Sequence, residues 1–282
     1  MKPPRDLEHD LEHTIPPEGG ADSWRLFGDM TARSLTLLEV KAGERVLDLA
    51  CGMGQDTLAI AAESAGGGGP DPDAGPALTI GAEPSNRMIR WGQGQARAPS
   101  GPADAGEAGR PAAWVRAYAE ALPFGDGVLD AVLCKGAMDH FVSPGRTMAE
   151  IARVLRPGGR AVLSIANYDS LSCRLGRLRE GWLRRTWPGH VTPAHPYFEP
   201  PPDHLTRFGY RQILALAGPP LRLRRVEGIS LLWGFPPWGN LLGWMPEPLT
   251  ALLLGGAAAL GRVFPAWADV IVVRVEKPSP GG

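Results

Sequence analysis

The stretch ERVLDLACGMGQDT at residues 44–57 decides the fold. Its first part, residues 46–49, is apolar apart from Asp48, and a turn of small residues follows before an apolar helical pattern begins. This order predicts a strand, a tight turn and a helix. Gly52 and Gly54 allow the backbone to turn sharply and a ligand to approach, and the following helix offers unpaired N–H groups.

A glycine-rich turn after a strand also occurs in dinucleotide enzymes, and an ordinary buried strand and turn is a further alternative. Here the pattern is D-x-A-x-G-x-G, which resembles the S-adenosylmethionine (SAM) site of class I methyltransferases. The resemblance implies that Asp48 and the backbone of Ala50, Cys51, Gly52 and Gly54 hold the amino-acid end of SAM. An acid suits that end because it carries an ammonium group.

The composition predicts one large α/β domain with an embellishment, since 282 residues with 44% apolar content can bury a substantial core. A formal net charge of −1 argues against a general nucleic-acid binder. Cys51, Cys134 and Cys173 are scattered, which predicts reduced thiols in a cytoplasmic protein. Because His190 and His195 have no carboxylate or cysteine at ligand spacing, no metal site is predicted.

Two features of the sequence predict that no segment spans a membrane. Residues 1–22 are charged and rich in proline, which indicates a mobile tail without a signal peptide. The longest apolar run, residues 249–261, is too short to span a bilayer. We therefore expect a soluble, cytoplasmic protein.

A second strand pattern ends at Glu83, followed by a helix start. In the family that the first motif resembles, an acid at this point binds the ribose hydroxyls, which implies that role for Glu83 and places Pro84 and Met88 beside the cofactor. The alternative is a surface acid near a helix N-terminus. Low-complexity segments at residues 64–76 and 97–111 predict flexible loops on either side of this unit.

Residues 113–141 resemble the third and fourth motifs of the small-molecule methyltransferases of ubiquinone and menaquinone biosynthesis. The resemblance implies that Ala119 and Glu120 flank the adenine and that Lys135 belongs to the cofactor site. Tyr118 stands where that family usually has an adenine-reading acid. A tyrosine can stack on the base or hydrogen-bond through its hydroxyl group.

The remaining strands follow from LRPGG at residues 155–159 and from apolar runs at residues 160–166, 221–229 and 268–275. Together with the resemblance they predict a Rossmann-like α/β fold, a seven-stranded, mostly parallel sheet with helices on both faces. The predicted parts are a SAM-binding core at 23–167, a substrate-cap insertion at 168–202, the rest of the core at 203–277 with an apolar insertion at about 231–265, and a tail at 278–282.

Two segments have more than one interpretation. In the cap, one apolar helical stripe lies among arginines, and a solvated helix face is favoured over a lid that meets an acidic substrate. The stripe is Leu171, Leu175, Leu178 and Trp182, and the arginines are Arg174, Arg177, Arg184 and Arg185. In the apolar insertion, Trp233, Trp238 and Trp244 fit an apolar substrate pocket, a membrane contact or the seam of a homodimer.

The functional hypothesis is a SAM-dependent methyltransferase that acts on a small, apolar or aromatic acceptor. The alternatives are a SAM-binding subunit without turnover and another transferase of this fold, such as an aminopropyltransferase. His140 and Asp139 follow the fourth strand, so His140 is a candidate general base. His204 competes with it, and simple packing of His140 beside Phe141 is the alternative.

Overall fold

The computed structural model describes residues 21–66, 78–97, 112–194 and 196–279. The strands are β1 (Arg45–Leu49), β2 (Leu78–Ala82), β3 (Ala112–Val115), β4 (Leu129–Lys135), β5 (Leu155–Ala166), β6 (Arg222–Ile229) and β7 (Val270–Glu276). The helices are α1 (Ala21–Leu38), α2 (Gln55–Gly66), α3 (Asn86–Arg97), α4 (Pro144–Val154), α5 (Leu171–Thr186), α6 (Tyr210–Leu216), α7 (Pro236–Trp244) and α8 (Glu247–Val263). Short 3-10 turns cover Met138–His140 and Pro265–Trp267.

All seven strands form one sheet in the order β3-β2-β1-β4-β5-β7-β6. Among the strands of the described residues, β7 alone runs in the opposite direction, so it pairs antiparallel with β5 and β6; this confirms the predicted mostly parallel sheet. The chain moves outward from β1 to β3 and then returns to β4 on the other side of β1. This reversal opens a crevice at the carboxyl ends of β1 and β4, where ligands of open α/β sheets bind.

Helices cover both faces of the sheet, as predicted. Val46 packs with Leu38 of α1 on one face, whereas the next residue, Leu47, packs with Ile151 of α4 on the other. Adjacent strand residues point to opposite faces, so a strand buried on both sides needs a continuous apolar run. This requirement explains why the central strands contain so few polar residues.

The fifth strand is longer than predicted, because it begins at Leu155 rather than at Arg160. Leu155 ends α4 in an extended conformation, with ψ of 135°, and pairs with Leu129 of β4. Pro157 cannot donate a backbone hydrogen bond and disfavours a helical conformation in the residue before it, so the chain changes from helix to strand without a loop.

Several predicted loops and tails lie largely outside the described residues, namely residues 1–20, 67–77, 98–111, 195 and 280–282. The predicted tail at 1–22 is shortened by α1, which begins at Ala21. The apolar insertion forms α7 and α8. Within the described part of the chain, no helix has both the length and the apolar character needed to cross a bilayer.

The three tryptophans of the insertion do not share one environment. Trp233 is half-buried and its Nε1 donates a 3.0 Å hydrogen bond to Ser23 Oγ in α1. Trp238 is half-buried, whereas Trp244 is 90% exposed. The three interpretations of this segment, a substrate pocket, a membrane contact or a dimer seam, therefore stay predictions.

Candidate active site

The turn after β1 brings two sequence motifs together. Ala50 and Gly52 have positive φ angles of 57° and 53°, which turns the chain sharply after the strand. The Gly52 N–H donates a 3.1 Å hydrogen bond to Oε2 of Glu83, which follows β2. A Cβ atom on Gly52 would have only Met88 Sδ near it, at 3.8 Å. Gly52 therefore faces open space beside Glu83 and Met88, as a ligand-binding turn requires.

The sequence suggests that a ligand lies beside Gly54, whereas in the structure the side chain of Trp114 lies there. A Cβ atom there would lie 2.1 Å from Cη2 of Trp114 on β3. Added Cβ atoms on Gly81 and Gly92 would lie 3.0 and 2.4 Å from the same indole ring. Three glycines, from the turn before α2, from β2 and from α3, thus make room for Trp114, and the missing side chain at Gly54 serves packing.

Asp48 lies at the crevice but is almost fully buried. It is 2% exposed, and its Oδ2 accepts a 2.6 Å hydrogen bond from Thr57 Oγ1. Burial, with a smaller contribution from the Asp56 carboxylate, raises the pKa of Asp48 to about 7. Lys135 Nζ pairs with Asp56 at 2.5 Å and donates to Thr31 of α1 at 2.6 Å. Lys135 therefore faces two acids, Asp48 and Asp56. A further cation near Asp48 would favour the ionised form of Asp48.

Glu83 lies just after the end of β2 and is only 7% exposed. Its two carboxylate oxygens accept backbone N–H groups from Gly52 and Ser85, each at 3.1 Å. A carboxylate is the type of acceptor that two vicinal hydroxyl groups would bind.

The segment after β3 approaches Glu83 through its backbone, because the Ala117 N–H donates to the Glu83 carbonyl oxygen at 3.4 Å. Tyr118 is 52% exposed and Ala119 is buried. Glu120 accepts a 3.2 Å hydrogen bond from the Ser143 N–H at the start of α4, so it holds this loop in place. Pro84 is predicted to lie beside the cofactor. Its carbonyl oxygen accepts a hydrogen bond from Arg116.

The turn after β4 carries a histidine and a carboxylate. His204 Nδ1 lies 2.7 Å from Asp139 Oδ2. The backbone N–H groups of Leu205 and Thr206 donate to the Asp139 carbonyl oxygen at 2.8 and 3.1 Å, so the segment around His204 docks onto this turn. Asp139 is 3% exposed, and its Oδ1 has no hydrogen-bond partner within the described residues.

The sequence offers His140 and His204 as competing candidates, whereas the structure brings them together. Their ring centroids are 4.5 Å apart, and His140 Nδ1 lies 3.4 Å from Asp203 Oδ2. Tyr168, which sequence reasoning missed, places its hydroxyl 2.9 Å from His204 Nδ1. Burial raises the pKa of Tyr168, so its hydroxyl stays protonated at neutral pH.

One donor atom each from Asp139, His140 and His204 can be chosen within 4.8 Å of one another, a spacing that allows a metal ion. The sequence predicts no metal site. The 2.7 Å separation of Asp139 Oδ2 and His204 Nδ1 is that of a hydrogen bond. Two ligands of a tetrahedral zinc ion, each ~2.1 Å from it, would lie ~3.4 Å apart. The geometry therefore favours a carboxylate–histidine pair that shares a proton.

The cysteines supply no nucleophile to the site. Cys51, Cys134 and Cys173 are all free and buried, in agreement with the predicted reduced thiols. Burial raises the pKa of each thiol, so the reactive thiolate is disfavoured. Cys51 contributes to the turn through its backbone, whose N–H donates to the Ala82 carbonyl oxygen at 3.1 Å.

The described residues fit the cofactor that the sequence motifs imply. Gly52 has space beside it, Glu83 is a carboxylate next to that space, and Asp48 is a buried acid that a cation would ionise. These groups suit backbone contact, ribose hydroxyls and an ammonium group, respectively. The strand order, the crevice and this set of groups fit a class I SAM-dependent methyltransferase domain.

Comparison with known proteins supports this assignment. Residues 47–163 match the model of the methyltransferase domain family, and this match supports a class I SAM-dependent methyltransferase with SAM as its cofactor. An uncharacterized methyltransferase of Mycobacterium marinum is 34% identical over 152 residues, which is 51% of this chain and 51% of that protein. A demethylmenaquinone methyltransferase of Clavibacter sepedonicus is 31% identical over 155 residues, or 55% of this chain and 52% of that protein. The chain spans about half the length of these curated relatives.

Solved structures show the same fold at low identity. The YcgJ protein of Bacillus subtilis superposes with a TM-score of 0.54 and 18% identity, covering 90% of this chain and 100% of that one. A geranyl diphosphate C-methyltransferase of Streptomyces coelicolor superposes with a TM-score of 0.54 and 14% identity, covering 93% and 87%. These likenesses establish the architecture and leave the acceptor open.

Proposed function

We propose that this protein transfers the methyl group of SAM to a nucleophilic atom of a small, apolar or aromatic acceptor, and that His204 takes the proton of that atom. The observation that carries the proposal is the 2.7 Å contact between His204 Nδ1 and Asp139 Oδ2, next to the carboxyl end of β4. When bound, SAM supplies an electrophilic methyl group on a sulfonium. The chain's own contribution is to orient the acceptor and to receive its proton.

Asp139 determines which nitrogen of His204 can act. Its carboxylate accepts the Nδ1–H, which leaves the lone pair of Nε2 free for the acceptor's proton. As the new bond to the methyl group forms, the acceptor's O–H, N–H or C–H bond breaks and the proton passes to Nε2. The resulting imidazolium is stabilised by the adjacent carboxylate, so Asp139 orients the ring and balances its charge.

The surroundings of the two histidines favour an apolar acceptor. Val142 and Leu205, which lie two residues after His140 and one residue after His204, are 84% and 46% exposed. Names of similar proteins agree with this class, since one relative is a demethylmenaquinone methyltransferase and one structural neighbour holds geranyl diphosphate.

The test is a survey of acceptors followed by variants. The protein is incubated with SAM and a panel of phenols, quinols, prenyl compounds and amines, and release of S-adenosylhomocysteine is measured. With an acceptor in hand, we expect His204→Gln to lower the single-turnover rate by roughly 10² or more, because general-base catalysis contributes about that much. SAM affinity, measured by calorimetry, should stay nearly constant. We expect His140→Gln to have a smaller effect.

His190→Gln is the matched control, because His190 also contacts a carboxylate, that of Glu180 at 2.9 Å, but lies outside the proposed site. Its turnover should equal that of the parent, and a chelator should change neither protein. Equal rates for His204→Gln and the parent would leave positioning as the mechanism. SAM binding without turnover on any acceptor would point to a binding subunit, and aminopropyl transfer from decarboxylated SAM would point to a different transferase.

A further inference from the structure

The second half of the apolar stripe of helix α5 faces solvent, whereas Leu171 and Leu175 in its first half are half-buried. Leu178 is 70% exposed and Trp182 is 62% exposed, and these residues lie one turn apart on the same side. The opposite side is buried although it consists of small and polar residues, namely Ser172, Cys173, Gly176 and Glu180. Surface helices normally turn their apolar side toward the core, whereas the second half of α5 turns it toward solvent. We call this orientation inverted.

Specific contacts hold the inverted orientation. Ser172 Oγ donates a 2.6 Å hydrogen bond to Asp269 Oδ1 beside β7. A Cβ atom on Gly176 would lie 2.3 Å from Tyr197 Oη, so the tyrosine ring packs directly on the helix backbone. Glu180 accepts a hydrogen bond from His190 Nε2 at 2.9 Å. Because these contacts fix the inner side, the helix cannot rotate to bury Leu178 and Trp182.

The outward side is strongly basic as well as apolar. Residues 171–187 contain five arginines and one acid, a net charge of +4. The acid, Glu180, is buried, whereas four of the arginines are exposed, namely Arg174, Arg179, Arg184 and Arg185. Trp187 and Val191 continue the apolar surface beyond the helix at 64% and 83% exposure. Exposed apolar residues framed by like charges indicate a binding surface.

We propose that this side of α5 docks onto the surface of an anionic lipid bilayer. Trp182 and Trp187 suit the headgroup region, because an indole ring has an apolar body and a polar N–H. Leu178 would enter the acyl boundary, and the exposed arginines would contact lipid phosphates, each strengthening binding roughly five-fold. A second copy of the chain is a poorer occupant, because a two-fold contact would set +4 against +4.

The proposal concerns binding alone and stands whether or not the proposed methyl transfer occurs. It would bring the crevice close to apolar acceptors dissolved in a membrane. It also explains why the stripe of α5 faces away from the core, which neither a cap over the crevice nor a solvated polar helix does.

The experiment is co-sedimentation of the full chain with vesicles of phosphatidylcholine alone or with 30% phosphatidylglycerol. We expect binding to the anionic vesicles that weakens as salt rises. The variant Leu178→Gln/Trp182→Gln should lose at least ten-fold in vesicle affinity, and Arg179→Glu/Arg185→Glu should lose the preference for anionic lipid. Trp91→Gln is the control, since Trp91 is 58% exposed on α3 and should bind as the parent does.

Far-UV circular dichroism and SAM affinity should be unchanged in every variant, which separates this result from any failure of the methyltransferase assignment. Equal binding of the parent and both α5 variants would overturn the proposal. So would a shift from dimer to monomer in Leu178→Gln/Trp182→Gln without vesicle binding by the parent, because the surface would then join two copies. Binding to an acidic polymer such as heparin but not to vesicles would also overturn it.

Discussion

Trp114 makes Gly54 the most sensitive position in the turn after β1. Replacing Gly54 by alanine adds a Cβ atom 2.1 Å from Cη2 and 2.7 Å from Cζ3 of that ring, at a residue with φ of 80°. A left-handed conformation costs a non-glycine residue ~1–2 kcal/mol. Overpacking adds ~1–3 kcal/mol. We therefore expect Gly54→Ala to lower the free energy of unfolding by ~2–5 kcal/mol.

A double-mutant cycle separates the two contributions. Trp114→Phe removes the distal ring atoms, so Gly54→Ala in that background should cost only the ~1–2 kcal/mol of the backbone conformation. The coupling between the two positions should then be ~1–3 kcal/mol, measured by urea denaturation followed by circular dichroism. Gly94→Ala is the control, because a Cβ atom there meets nothing within 4 Å and alanine favours the helix.

Two outcomes would refute this reasoning. If Gly54→Ala costs the same in the parent and in Trp114→Phe, the indole ring does not occupy the space beside Gly54. If it costs less than ~1 kcal/mol, the turn does not need its left-handed conformation either. The first of these outcomes, a fully additive cycle, would mean that Gly54 is needed only for the approach of a ligand, as the sequence suggests.

Two further predictions concern the cofactor groups. Glu83→Ala should weaken SAM binding roughly ten- to a hundred-fold in calorimetry, since hydrogen bonds to a charged group are lost. The control Glu63→Ala, on the exposed side of α2, should leave SAM affinity unchanged. An unchanged affinity in Glu83→Ala would remove Glu83 from the site. Because burial raises the pKa of Asp48 to about 7, the folded state retains a proton that the unfolded state loses, so unfolding free energy should fall as pH rises from about 4 to about 7. Asp48→Asn should flatten that part of the profile in urea titrations, and an equal slope in both proteins would contradict the shift.

The sheet could be predicted because its strands have local signatures. Val270–Glu276 is rich in β-branched residues, and the structure places it between two strands, as an interior strand requires. The turn at Gly52 and the acid at Glu83 follow strand ends, so strand order alone brings them to one edge. These features depend on short stretches of sequence and on a topology that the family resemblance supplies.

Other features depend on contacts that no local pattern records. The packing of Trp114 against Gly54 requires β3 to lie beside β2, which is a tertiary fact. The contact of His204 with Asp139 joins residues far apart in the chain, through a segment without regular structure. The outward stripe of α5 contradicts the usual rule for amphipathic helices, because buried contacts of Ser172 and Glu180 outweigh the burial of Leu178.

The division between predictable and unpredictable features has a functional consequence. The family model covers residues 47–163, which contain Asp48, Gly52 and Glu83, the groups that we expect to bind SAM. The proposed base, His204, and Tyr168, which contacts it, lie beyond that segment, whereas Asp139 lies within it. A binding site for a shared cofactor constrains its residues in every relative, whereas the acceptor side need only present a base and a suitable surface. We therefore expect acceptor specificity in this protein to depend largely on the segment after β5, so a relative's acceptor should be transferred to it only where that segment also matches.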